Sequence, residues 1–172
     1  MVTLAVFVPS AVAVVVLVAL SGFFSSSESA IFSLPEEWIQ ETAADGSPEN
    51  AALRDLRSDP HRLLVTILVG NNVVNMAISS IVTLLVSEVF SPGIAVLVAT
   101  IGASALILVF GEIVPKSYGL GHARTWSLRV ARPLELVERA LGPVVALFDA
   151  STRRLTALVG GDRGIEENLL DE

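Results

Sequence analysis

The chain has 172 residues, with 18 acidic side chains against 11 basic ones and a formal net charge of −7. Apolar residues make up 52%, charged residues only 17%, and mean hydropathy is +0.68, a balance that points to a membrane protein. The absence of cysteine excludes disulfides, thiolate chemistry and Cys-based zinc sites, and an acidic chain without a basic stripe offers nothing to nucleic acid.

Three windows carry no charged residue: Met1–Ser27, Leu63–Ser87 and Val89–Gly111. At about 1.5 Å per residue, each is long enough to cross a hydrocarbon core of roughly 30 Å as a helix. The first has no basic flank and does not read as a cleaved signal peptide. Orientation follows from the basic residues. Arg54, Arg57 and Arg62 fall between the first and second spans, and Lys116 and the other seven follow the third. The positive-inside rule then predicts an external N-terminus and a cytoplasmic C-terminus.

In chain order, span one is expected over about residues 3–32. It turns polar at Ser21-Gly-Phe-Phe-Ser-Ser-Ser-Glu-Ser29, where Ser21, Ser25 and Ser29 share one helical face. Small residues at that spacing also serve close helix packing, so the pattern alone leaves packing open beside ligation. Glu28 reads as a boundary residue paired with an arginine. The 33–61 link predicts a cytoplasmic helical hairpin, Glu36–Ala44 and then Pro48 to about Arg57. Asp45-Gly46 supplies the turn, and Ser47 caps Pro48 at the first helical position. Asp59-Pro60 repeats the cap-then-proline pattern and starts span two.

Span two, about 62–87, contains Asn71, Asn72 and Asn75. Amides in a charge-free span are costly unless partnered. One asparagine suffices as interhelical glue; three point towards a lined cavity. Span three, about 92–115, ends on Leu106-Ile-Leu-Val-Phe-Gly-Glu-Ile-Val-Pro-Lys-Ser117. Pro115 has no N–H for the Gly111 carbonyl, so a bend or bulge is expected there, freeing that carbonyl beside the Glu112 carboxylate. Inside hydrocarbon such a break is tolerated only against protein or a wet cavity. The competing reading ends the helix at the inner surface, with Glu112 among head groups.

Depth brings these groups together. Ser21 and Glu112 lie roughly twenty residues from the outer face, and Asn71 and Asn72 about ten from the inner one. Hydroxyl, amide, carbonyl and carboxylate oxygens without His or Cys suit Mg²⁺, Ca²⁺ or Na⁺. Beyond span three, Tyr118–His122 reads as a turn, Arg124–Arg132 as a short basic helix ended by Pro133, and the 134–148 stripe as an amphipathic juxtamembrane helix broken at Gly142-Pro143. An enzyme is disfavoured, because His61 and His122 lie in polar turns and no His-Glu-x-x-His or nucleophile motif occurs.

Three segments, Ser21-Gly-Phe-Phe-Ser-Ser-Ser-Glu-Ser-Ala, Leu68-Val-Gly-Asn-Asn-Val-Val-Asn75 and Phe110-Gly-Glu-Ile-Val-Pro-Lys-Ser117, closely resemble the signature segments of the cyclin-M (CNNM)/CorB/CorC membrane domain. Their order and spacing match as well, over about residues 3–160. The resemblance implies an all-α integral membrane protein of the plasma membrane. It would be a homodimer with three transmembrane helices per subunit, the third of them broken. It implies Mg²⁺ efflux, thought to be coupled to Na⁺ influx, through an inward-open site holding a largely dehydrated ion. A non-transporting Mg²⁺ sensor or scaffold is the alternative. Ser21, Ser25, Asn72 and Glu112 fall on the positions implied to contact the ion, with Asn71 and the carbonyls of Gly111 and Leu68 completing the set. Ser25-Ser26-Ser27 departs mildly from the more usual Ser-Gly-Ser or Ser-Ala-Ser. A cytoplasmic acidic bundle and a CBS pair are also implied. Residues 1–160 would form the transport domain, 124–158 its juxtamembrane helices, and 161–172 the start of that bundle. The chain is expected to be part of a longer protein, or a member without the regulatory half.

Overall fold

The computed structural model describes residues 4–43 and 46–158, and these are almost entirely helical. Helix α1 spans Leu4–Phe32, α2 Glu36–Ala43, α3 Pro48–Ser58 and α4 Pro60–Ser87. Helix α5, Pro92–Leu106, passes into a π-helical segment, Ile107–Ile113, and then into α6, Val114–Gly121. Helix α7 runs from Ala123 to Leu158. Among the described residues, three helical runs are long and apolar enough to cross a membrane: Val6–Phe32, Pro60–Ser87 and Pro92–Gly121. The residues expected to open an acidic bundle, 161–172, lie outside the described residues.

The caps read from the sequence form as chemistry requires. The Ser47 hydroxyl accepts the Asn50 N–H at 3.3 Å, and the Asp59 carboxylate accepts the Arg62 N–H at 3.0 Å. Each satisfies one of the amides a helix start leaves open, with proline in the first turn where its missing N–H costs nothing. Gly46 takes φ +68°, the left-handed conformation that favours glycine. The Asn50 side chain donates to the Thr42 carbonyl at 2.8 Å, tying α3 back to α2.

Helix α1 is the hub, packed against α4, the π segment, α6 and α7. Its apolar contacts join Phe24 and Ile31 to Leu63, Ile67, Val74 and Ile78 of α4 and to Val130, Ala131 and Leu134 of α7. Glycines let the backbones meet. A β-carbon at Gly70 would stand 2.6 Å from the Phe24 ring, and one at Gly22 would stand 3.0 Å from Pro115 Cγ.

Two expectations at the end of the chain are corrected. Tyr118–His122 is not a turn, since α6 stays helical to Gly121 and only His122 leaves the helix, at φ −123°. Gly119 serves close packing there, as its buried position against the Ser26 backbone shows. Nor do Pro133 and Pro143 end helices; α7 continues through both. A proline inside a helix costs about 3 kcal/mol. Val130, Ala131 and Leu134, all buried around Pro133, and Val145 beside Pro143 supply the packing that outweighs it.

Helix α7 is further fixed to α4 by Arg62 Nε, 2.7 Å from Glu138 Oε1. Burial pushes the Glu138 carboxyl above its ordinary 4.5, and Arg62 beside it offsets only part of that rise. Trp126 donates its indole N–H to Ser26 Oγ at 3.0 Å, joining α7 to α1.

Candidate cation site

The site begins at the π segment. Val114 N–H bonds the Val109 carbonyl five residues back, in place of the fourth-residue partner of an α-helix. Pro115 withholds the next donor, which would serve Gly111 in α register and Phe110 in π register. Glu112 lies inside this segment, half-buried, and makes no hydrogen bond or ion pair with the described residues. Single π turns recur at functional sites because the extra residue re-aims neighbouring groups.

Glu112 lines a cavity of about 200 Å³ shared with Leu64, Ile67, Leu68, Asn71, Asn72 and Asn75 of α4, Glu28 of α1 and Lys116 of α6. Across it, Lys116 Nζ lies 3.2 Å from Glu28 Oε2. This corrects the expected arginine partner of Glu28. Arg124 sits over the Trp38 ring at 5.7 Å. Two carboxylates and one ammonium leave the cavity wall with one net negative charge, carried by Glu112.

Behind the asparagines stands Ser21, fully buried, with Oγ 2.9 Å from Asn71 Oδ1 and 2.8 Å from Asn75 Oδ1. The hydroxyl has one proton, so it donates to one amide oxygen and meets the other amide best when that amide turns its NH₂ inward. Ser21 also touches Gly111, where a β-carbon would stand 2.7 Å from its Oγ. One serine therefore fixes both the asparagine face of α4 and the π segment that carries Glu112.

The structure thus gathers Asn71, Asn72, Glu112 and Leu68 around one space. Ser21 reaches the space through Asn71 and Asn75; neither Ser21, Ser25 nor Gly111 is itself among the lining residues. Ser25 is fully buried and its Oγ has no hydrogen-bond partner among the described residues. A buried hydroxyl left unmatched costs free energy. The candidate set omitted Asn75, Glu28 and Lys116. Asn75 was legible from its i, i+4 relation to Asn71, whereas the Glu28–Lys116 pairing joins residues 88 positions apart and left no local signal.

Three membrane-length helices around an amide- and carboxylate-lined cavity define a multi-pass α-helical membrane protein with a polar pocket between its spans. The model of the cyclin M transmembrane N-terminal domain matches residues 12–172, and the chain belongs to that family. Among its relatives, a chloroplastic DUF21 domain-containing protein of Arabidopsis thaliana is 36% identical over 148 residues, 84% of this chain and 22% of the relative. A UPF0053 protein of Synechocystis is 32% identical over 79% of this chain and 39% of its own length. The UPF0053 inner membrane protein YfjD of Escherichia coli is 29% identical over 82% of this chain and 33% of its own length. The chain spans less than two fifths of the length of each of these relatives.

Proposed function

We propose that this chain forms the ion-binding membrane domain of a Mg²⁺ transporter of the plasma membrane, exporting Mg²⁺ against Na⁺ influx through an inward-open site. The observation that carries this reading is Glu112: a carboxylate on a membrane-length helix, without an ion pair among the described residues, lining one cavity with three asparagines. Mg²⁺ takes six oxygens near 2.0–2.1 Å and sheds water reluctantly. Glu112, Asn71 and Asn72 supply oxygens directly. Gly111 and Leu68 neighbour Glu112 and Asn71 in sequence, Ser21 bonds Asn71, and Ser25 lies one helical turn beyond Ser21; their oxygens would join as the ion loses water. The one-sided arginines favour an external N-terminus, and a twofold homodimer is the assembly proposed.

Proteoliposomes holding the chain test the reading. Mg²⁺ should move across the bilayer, faster under an imposed Na⁺ gradient. A chain that binds Mg²⁺ without moving it is a sensor or scaffold. One observation favours that second reading: Ser21, Asn71 and Asn75 already satisfy one another as interhelical glue.

A further inference from the structure

Lys116 follows Glu112 by four residues, the spacing at which glutamate and lysine on one helix ordinarily pair. Both side chains line the same cavity. Lys116 nevertheless reaches across to Glu28 on α1, and Glu112 is left without an ion pair among the described residues. The two side chains are 44% and 33% exposed, so neither is locked in place by packing.

We propose that Glu28 is a positioning residue that holds the Lys116 ammonium away from Glu112, keeping that carboxylate open for a divalent cation. Lys116 is then a tethered competitor for the ion's own place. While Glu28 neutralises it, the net negative charge of the wall rests on Glu112, beside the asparagine oxygens. Without Glu28, Lys116 swings to its i−4 neighbour, Glu112 is neutralised, and a divalent ion meets a wall with no net charge. Because the pair bridges α1 and α6, a relative movement of those helices would switch which carboxylate Lys116 neutralises. This inference rests on the cavity being a cation site.

Titration of the purified full chain with MgCl₂, followed by calorimetry, separates the possibilities with four proteins. Glu28→Gln should weaken Mg²⁺ binding tenfold or more, although Glu28 is not a ligand. Lys116→Met should bind as well as wild type or a few-fold tighter. The double variant should recover at least wild-type affinity, because the competitor has gone with its anchor. A double variant as weak as Glu28→Gln would make Glu28 a ligand or a structural support and overturn the proposal, as would wild-type affinity in Glu28→Gln alone. Should Glu28→Gln fail to fold, Lys116→Met carries the test: a tenfold loss there contradicts the competitor role. A wild-type chain that binds no Mg²⁺ overturns the ion-site reading and this inference together, whereas failure of the variants alone leaves the site standing.

Discussion

A β-carbon at position 119 would collide with the carbonyl oxygen of Ser26, so Gly119 places the α6 backbone directly on that of α1. The obstacle is backbone and has no rotamer to give. Gly119→Ala should therefore force the helices apart and cost about 1–3 kcal/mol, the range for overpacking a tight contact. At Gly111 the obstacle is a side-chain oxygen, Ser21 Oγ at 2.7 Å, which is able to rotate. Gly111→Ala should cost less stability and disturb the site more. Unfolding in a denaturing detergent ranks the two; Gly119→Ala as stable as wild type would contradict the packing.

Ser21 connects Asn71 and Asn75 of α4 to α1 at 2.9 and 2.8 Å. Ser21→Ala removes the hydroxyl and leaves two amides short of a partner. With about 1 kcal/mol for each such contact between membrane helices, the loss should approach about 2 kcal/mol in the same unfolding measurement. Mg²⁺ affinity should fall as well, because the asparagines lose their fixed orientation. A change in stability with unaltered Mg²⁺ affinity would confine Ser21 to packing.

Glu138 gives the fold a pH dependence of defined sign. Its carboxyl is raised above 4.5 in the fold, chiefly by burial. Between 4.5 and the raised native value, the folded chain holds a proton that the unfolded chain has released. Stability attributable to this group is then present below that window and is lost as pH rises through it. Glu138→Gln cannot titrate and should flatten the slope. Thermal unfolding across that pH range, identical in slope for both proteins, would remove Glu138 as the cause.

Much of this architecture could be read from the sequence because its signals are local. Charge-free windows mark the membrane-length helices, and Ser47-Pro48 and Asp59-Pro60 announce helix starts through a cap and a proline. The triple asparagine and Glu112 identify one cavity, since amides and a carboxylate in apolar helices need somewhere to face. What escaped depends on distant contacts. Pro133 reads as a helix end until the buried Val130, Ala131 and Leu134 around it are seen. Gly119 and Gly121 read as a turn until Ser26 is placed beside Gly119. Glu28 needed a cation, and only folding could show that Lys116 supplies it.

The proposed orientation makes a direct prediction. Ser91, at the start of α5, belongs on the outer face, and Ser47, capping α3, on the cytoplasmic one. In intact cells, Ser91→Cys should react with an impermeant thiol reagent and Ser47→Cys should not; the chain has no other cysteine to confuse the result. The reverse pattern would invert the topology.

The account turns on Glu112 as the charge that takes the ion. Glu112→Gln keeps the shape and one oxygen but removes the negative charge that offsets the dehydration of a divalent cation. Calorimetric titration of wild type and Glu112→Gln with MgCl₂ measures that contribution. The account predicts binding weakened tenfold or more in the variant, at least about 1.4 kcal/mol. Equal Mg²⁺ affinity in a correctly folded Glu112→Gln protein would contradict it.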